Sequence, residues 1–241
     1  MTISVVIPAF NEAKYLPNTL NSIKDSSRVF NAAGWESEII VCDNNSTDAT
    51  SNTATSYGAR VVFEPFNQIS SARNAAARVA KGDWLVFIDA DTQVSSELFR
   101  SMMRSIVSKK YIGGGAPVKF DSGPWLACQT VHVWNSVAKI MGWAAGSFLF
   151  CEVNAFRKLN GFNNELFAAE EVEYCQRLNR LGKRFAKRFI MLSPPVITSG
   201  RKVKALFTTK NLEHGIEALF TAGDALKKRD KCEYWYDNPV R

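Results

Sequence analysis

Hydrophobic and polar positions along the first half of the chain alternate between two periods, which is typical of repeated βα units. Short apolar runs predict strands, and segments with apolar side chains three or four positions apart predict a helix after each strand. The pattern therefore predicts a doubly wound α/β fold. The predicted strands are Ile3–Ile7, Glu38–Cys42, Arg60–Phe63 and Trp84–Ile88, and the predicted helices are Glu12–Ile23, Ser46–Tyr57 (with Ser46 or Thr47 as its N-cap), Ser70–Ala80 and Glu97–Val107.

The second half has a less regular pattern. Its glycine-rich segment Tyr111–Phe120 predicts one extended, bent strand, and Gly182 is predicted to end a helix as its C-terminal cap. With no linker or internal repeat between the halves, we expect them to share one sheet and one core. The further predicted elements are helices at Pro124–Met141, Ala168–Leu181 and Lys210–Lys228, and strands at Ser147–Cys151 and Arg184–Leu192.

Two carboxylates, Asp89 and Asp91, follow the predicted buried strand Trp84–Ile88 directly. Ligands of open α/β sheets bind outside the carboxyl ends of the strands, and paired acids can hold a hard divalent cation that also carries phosphate oxygens. The alternative is that the two acids only cap the following helix, which begins near Ser95.

Other strand ends carry polar groups that parallel topology would bring to the same edge. Each has a structural alternative: Asp43 and Asp48 could shape a turn, Arg73 could be a solvated helix residue, and Glu170 with Glu171 could complement a helix N-terminus. Neither a dinucleotide-binding glycine motif nor a P-loop follows any predicted strand. The joint arrangement fits a nucleoside diphosphate with a divalent metal.

Composition narrows the class of partner. The chain of 241 residues is 46% hydrophobic and 22% charged, as in ordinary globular proteins, and its net charge of +7 suits an anionic partner. Its five cysteines are odd in number and widely spaced, which favours reduced thiols in the cytoplasm. The chain enters a strand at once, so we expect no signal peptide, and no apolar run is long enough to span a bilayer.

An ordered series of motifs extends over about residues 2–192. Its segments are Val5–Glu12, Ile39–Thr50, Ala72–Asn74, Phe87–Thr92, Gly146–Phe150, Gly161–Phe162, and Glu170–Glu173 with Arg177–Leu178. This series resembles the family 2 inverting glycosyltransferases. The resemblance implies the A-type glycosyltransferase fold: a Rossmann-like α/β fold with a central, mixed, mostly parallel sheet flanked by helices.

The resemblance also implies roles for individual positions. The family's Glu-Asp pair, whose second acid is the base, is here Glu170-Glu171, a departure that leaves open which of the two acts. The implied residues are Pro8, Ala9, Phe10, Glu12, Asp43, Arg73, Asp89 and Arg201 for the nucleotide-sugar, Asp91 with Asp89 for the metal, and Glu171 or Glu170 for the acceptor proton.

We therefore expect a metal-dependent inverting glycosyltransferase that uses Mg²⁺ or Mn²⁺ and a UDP- or GDP-sugar. Its acceptor would be a hydroxyl of a lipid or glycan. Residues 1–192 would form the catalytic domain, and residues 193–241 a basic extension packed on it. That extension could place the protein peripherally at the inner face of a membrane.

Two other activities fit less well. One alternative is a degenerate, non-catalytic protein that binds nucleotide-sugars, because Glu170-Glu171 differs from the Glu-Asp pair of the family. A nucleotidyltransferase would need a glycine-rich basic loop after the first strand, and Pro8–Glu12 is not one. Nucleic-acid binding is suggested by charge alone, and no recognisable motif supports it.

Overall fold

The structure, a computed structural model, describes residues 1–123, 125–202 and 224–232. Strands and helices alternate as predicted up to about residue 107, apart from a short strand at Thr92–Gln93 that was not predicted. The strands are β1 (Thr2–Ala9), β2 (Glu36–Asp43), β3 (Arg60–Phe63), β4 (Trp84–Phe87), β5 (Thr92–Gln93), β6 (Tyr111–Gly115), β7 (Val118–Phe120), β8 (Leu149–Glu152), β9 (Arg188–Met191) and β10 (Val196–Thr198). The helices are α1 (Leu16–Ala32), α2 (Thr50–Ser56), α3 (Ile69–Arg78), α4 (Ser96–Val107), α5 (Trp125–Met141), α6 (Val153–Lys158) and α7 (Glu170–Arg184).

The main sheet has seven strands in the order β3-β2-β1-β4-β8-β6-β9. The first four of these are parallel neighbours, β8 runs antiparallel to both β4 and β6, and β9 is parallel to β6. The predicted mixed, mostly parallel α/β sheet is therefore confirmed. Its parallel half brings the carboxyl ends of β1, β2 and β4 to one edge.

Alternate side chains of the central strands enter two separate cores, one on each face of the sheet. On one face, Ile3, Val5 and Ile7 of β1 pack with the apolar side of α1. On the other face, Val6 of β1 and Leu85 of β4 pack with the alanines of α3. Burial on both faces explains why these strands are continuous apolar runs.

A second, three-stranded sheet lies beside the carboxyl edge, in the order β5-β10-β7. The predicted single strand over residues 111–120 is wrong: β6 belongs to the main sheet and β7 to the small one. Pro117, which lacks a backbone N–H, lies between them. β10 is antiparallel to β5 and parallel to β7, and the Ser199 N–H donates to the Asp91 carbonyl at 3.2 Å. The segment after residue 192 is thereby joined to the strand that follows Asp91.

Two predicted helix ends are wrong. Gly182 is not a cap, because α7 continues to Arg184; a Cβ on Gly182 would lie 2.8 Å from the Lys187 carbonyl oxygen, so the glycine permits close packing. α2 begins at Thr50 after Ala49, with no side-chain cap, and the Ser46 Oγ instead accepts from the Asn11 N–H at 3.0 Å.

Two predictions concern the last 49 residues, of which the structure describes only a part. Residues 210–223 of the predicted C-terminal helix lie outside the described residues, and Asp224–Lys227 form a 3₁₀ turn. The division of the chain at residue 192 stays a prediction. Within the described ranges, no helix is long and apolar enough to cross a membrane.

Candidate active site

A cleft of about 310 Å³ opens at the carboxyl edge of the main sheet, between that edge, α5 and the start of α7. A larger groove between α1 and α4 contains none of the candidate residues. Arg201 reaches the cleft through its contacts with two lining acids, and Asp43 precedes the lining residue Asn44. The sequence-predicted residues that line it are Pro8, Ala9, Phe10, Glu12, Arg73, Asp89, Asp91, Glu170 and Glu171.

Asp89 and Asp91 follow β4 and both face the cleft. The interpretation of this pair as a helix cap is wrong, since the N-cap of α4 is Ser95, whose Oγ accepts from the Leu98 N–H at 3.2 Å. The Asp91 side chain is 8% exposed, whereas that of Asp89 is 36% exposed. The two carboxylates are therefore in different electrostatic environments.

Arg73, on the buried helix α3, bridges two of these acids. One guanidinium nitrogen lies 2.6 Å from Glu170 and another 3.0 Å from Asp89, and the arginine side chain is 4% exposed. The interpretation of Arg73 as a solvated residue is therefore wrong. Burial alone would lower the pKa of Arg73, but the carboxylates of Asp89 and Glu170 raise it above its ordinary value, so the side chain stays charged.

Gly146 makes room for this bridge. A Cβ at position 146 would overlap the Arg73 guanidinium, so the close approach needs a residue without a side chain. Beside it, the Ser147 Oγ is buried, lines the cleft and has no hydrogen-bond partner among the described residues. The sequence reasoning assigned neither residue a role, although the Gly-Ser step before β8 belonged to the motif series.

Glu170 and Glu171 begin α7, and they occupy different environments because successive helical residues point about 100° apart. Glu170 is 3% exposed and is paired with Arg73. Glu171 is partly buried, and burial, followed by the neighbouring Glu170 charge, raises its pKa to about 8. A carboxylate with a pKa near the working pH suits general-base chemistry.

Arg201 forms a second bridge between two acids that line the cleft. Its guanidinium lies 2.9 Å from Asp91, pairs also with Glu12 and stacks over the Tyr15 ring at 4.0 Å. The side chains of Arg201, Glu12 and Asp91 are 7%, 6% and 8% exposed. Arg201 is 110 residues from Asp91 in the chain and reaches it because β10 pairs with β5.

Asp43 and Asp48 shape the loop after β2. The Asp43 carboxylate accepts from the Ser46 N–H at 2.9 Å, and the Asp48 carboxylate accepts from the Thr50 N–H at 2.9 Å. The turn-shaping interpretation therefore agrees with the hydrogen bonds that both carboxylates accept. Contact of Asp43 with a nucleotide base stays a prediction.

A divalent ion would need ligands from outside the protein at this site. No group of three or more His, Cys, Asp or Glu side chains able to hold a metal occurs within the described part of the chain. Asp91 still offers a hard, buried carboxylate in the cleft. That donor fits a Mg²⁺- or Mn²⁺-type ion, which usually takes one or two protein carboxylates and completes its shell with substrate phosphates and water.

Comparison with known proteins identifies related sequences. The glycosyl transferase family 2 model matches residues 4–149. An uncharacterized glycosyltransferase of Rickettsia bellii is 36% identical over 96 residues, which is 40% of this chain and 30% of the relative. The chain thus aligns with under a third of that relative's length.

Solved structures share the fold. Staphylococcus aureus TarS (residues 1–349), in complex with UDP-GlcNAc, has a TM-score of 0.66 at 18% identity and covers 98% of this chain and 72% of its own. The mannosyltransferase PcManGT of Pyrobaculum calidifontis, in complex with GDP-Man and Mn²⁺, has a TM-score of 0.66 at 15% identity, over 89% of this chain and 64% of its own. The predicted A-type glycosyltransferase fold is confirmed.

Proposed function

Since the chain belongs to glycosyl transferase family 2, we propose that it moves a sugar from a nucleotide-sugar to an acceptor hydroxyl, with a divalent metal ion and inversion at the anomeric carbon. The observation that carries this proposal is the convergence of Asp89, Asp91, Glu170 and Glu171 on one cleft at the carboxyl edge of the sheet. Such an edge is where α/β proteins bind nucleotides.

Asp91, with Asp89 as its less buried partner, is the proposed metal ligand. A bound Mg²⁺ or Mn²⁺ would supply Lewis-acid stabilisation of charge on the leaving diphosphate. The Mn²⁺ in the related mannosyltransferase structure supports this choice of ion. The buried guanidinium of Arg201, next to Asp91, adds positive charge where negative charge would develop on the leaving diphosphate.

Glu171 is the proposed general base. Its carboxylate lines the cleft, and a pKa raised to about 8 makes its ionised form a stronger base for the proton of an acceptor hydroxyl than an ordinary carboxylate. Glu170 is a poorer candidate, because its carboxylate is already bound to Arg73 at 2.6 Å. A single attack on the sugar without a covalent intermediate inverts the anomeric configuration.

The donor is proposed to be a UDP- or GDP-sugar, held by the end of β1 and the loop after it, at Pro8, Ala9, Phe10 and Glu12. The nucleotide-sugars bound by the two fold relatives, UDP-GlcNAc and GDP-Man, support this class of donor. Arg73 would act on the donor chiefly through Asp89, since its guanidinium is engaged with carboxylates.

The acceptor is proposed to be a lipid or glycan that enters beside α5. Val131 and Trp134 of this helix line the cleft, while Val133, Val137, Ile140 and Met141 on its outer side are exposed. An apolar helix face next to an active site supports peripheral contact with a membrane that carries the acceptor.

The test is sugar transfer and donor hydrolysis, measured with a panel of UDP- and GDP-sugars with Mn²⁺, with Mg²⁺ and after chelation. We expect Asp91→Ala to abolish metal-dependent turnover while the protein stays folded, and Asp25→Ala, which removes an exposed acid of α1, to leave it unchanged. Full turnover by Asp91→Ala would refute the metal assignment. Donor binding without any turnover by the wild type would favour the non-catalytic alternative.

A further inference from the structure

We propose that the Arg201 guanidinium competes with a divalent metal ion for the Asp91 carboxylate. By pairing with Asp91 before the nucleotide-sugar binds, it lowers the affinity of this carboxylate for the metal. This inference rests on the proposed role of Asp91 as metal ligand. It assigns to Arg201 a function before the donor binds, in addition to any contact with the diphosphate.

The contacts show that the Asp91 carboxylate is engaged. One of its oxygens lies 2.9 Å from the Arg201 guanidinium and the other 3.5 Å from the Thr198 hydroxyl. With 8% of the side chain exposed, Asp91 has little access to water. A divalent ion that takes the oxygen facing Arg201 must therefore displace the guanidinium, since two cations cannot share one buried oxygen without strong repulsion.

Glu12 and Tyr15 hold Arg201 in place independently of Asp91. The guanidinium pairs with Glu12, which is 6% exposed, and stacks over the Tyr15 ring at 4.0 Å. When a metal takes Asp91, these contacts can keep the arginine in the site. The displaced guanidinium then carries its charge beside the metal, where an arriving diphosphate can accept it.

The backbone next to Arg201 confines the movement to the side chain. The Gly200 N–H donates to the Asp121 carboxylate at 2.9 Å, and Gly200 packs so closely on the Ser122 carbonyl that a Cβ there would overlap it. β10 ends at Thr198, paired with β5. Metal entry is thus expected to change the rotamer of Arg201 without rearranging the small sheet.

The experiment measures Mn²⁺ affinity of the nucleotide-free protein by electron paramagnetic resonance and calorimetry. We expect Arg201→Met to bind Mn²⁺ at least about tenfold more tightly than the wild type, because it removes the positive charge that lies 2.9 Å from Asp91. The second change Asp91→Asn, made in the Arg201→Met protein, should abolish this gain. Arg177→Met, which removes a partly buried arginine paired with Glu173 outside the cleft, is the control and should leave Mn²⁺ affinity unchanged.

Equal or weaker Mn²⁺ binding by Arg201→Met would overturn the proposal, as would a gain that survives Asp91→Asn. If Arg201→Met does not fold, Arg201→Gln decides: its neutral amide can still donate a hydrogen bond to Glu12 but removes the competing charge, so Mn²⁺ binding must be tighter than in the wild type. Transfer activity is scored separately. If the wild type transfers sugar but Arg201→Met does not bind Mn²⁺ more tightly, only the competition between Arg201 and the metal is refuted. If Arg201→Met binds Mn²⁺ more tightly but the wild type transfers no sugar, only the proposed enzyme function is refuted.

Discussion

Removing the Arg73 side chain should destabilise the protein far more than removing an exposed arginine. In Arg73→Met, the Glu170 side chain stays at 3% exposure and loses its partner at 2.6 Å. Breaking a buried pair in this way costs about 3–5 kcal/mol of unfolding free energy. Loss of the contact with Asp89 contributes less to the destabilisation, because the Asp89 side chain is 36% exposed and water can solvate it. For a chain of this size the loss corresponds to a fall in melting temperature of roughly 6–20 °C.

Circular dichroism melts at pH 7 in one buffer are the assay, and Arg28→Met is the matched control. Arg28 pairs with Asp25 at 2.9 Å, but the two side chains are 80% and 70% exposed, so loss of this pair should cost about 0–1 kcal/mol. The double variant Arg73→Met/Glu170→Gln should recover much of the loss, because it no longer buries an unpaired charge. A melting temperature for Arg73→Met equal to that of Arg28→Met, or a double variant less stable than the single one, would refute the reasoning.

Two further predictions concern pH and membranes. Since the pKa of Glu171 is raised to about 8, kcat/KM should rise with pH towards a plateau above that value. The free energy of unfolding should fall as the pH rises from about 4.3, the pKa of Glu171 in the unfolded chain, to its folded value of about 8, because the folded state favours the protonated form. Glu171→Gln should lose turnover and retain donor binding in calorimetry; if Glu170→Gln does so instead, Glu170 is the base. In co-sedimentation with anionic liposomes, Ile140→Asp on α5 should reduce binding, whereas Val107→Asp on α4, which is 64% exposed, should not. Equal binding by both variants, or none by the wild type, would refute contact through α5.

The strands of the first half were predictable from sequence because their burial on both faces leaves a continuous apolar signal. β3 agrees with the prediction at both ends. Helix starts were less predictable: α1 begins at Leu16 rather than Glu12, because residues before it form a turn in which Asn11 has a φ of 54°. Local apolar spacing carries no information about such turns.

Parallel topology predicted that Asp89 and Asp91 would lie at the carboxyl edge of the sheet. It predicted neither the partners of these acids nor the approach of Glu170 and Glu171, which begin a helix after the antiparallel strand β8. The pairing of Arg201 with Asp91 depends on β10 joining β5, a contact between segments 110 residues apart in the chain. The difference between Glu170 and Glu171 likewise depends on which side of α7 faces Arg73. Such long-range contacts leave no periodic signal in the sequence.

The Arg73 guanidinium lies where a side chain at Gly146 would be, and this contact links the evolutionary histories of the two positions. While a lineage keeps arginine at 73, any side chain at 146 collides with it, so a substitution there is selected against. Only after position 73 has become a shorter residue is position 146 free to vary. The two substitutions can therefore accumulate in one order and not in the other.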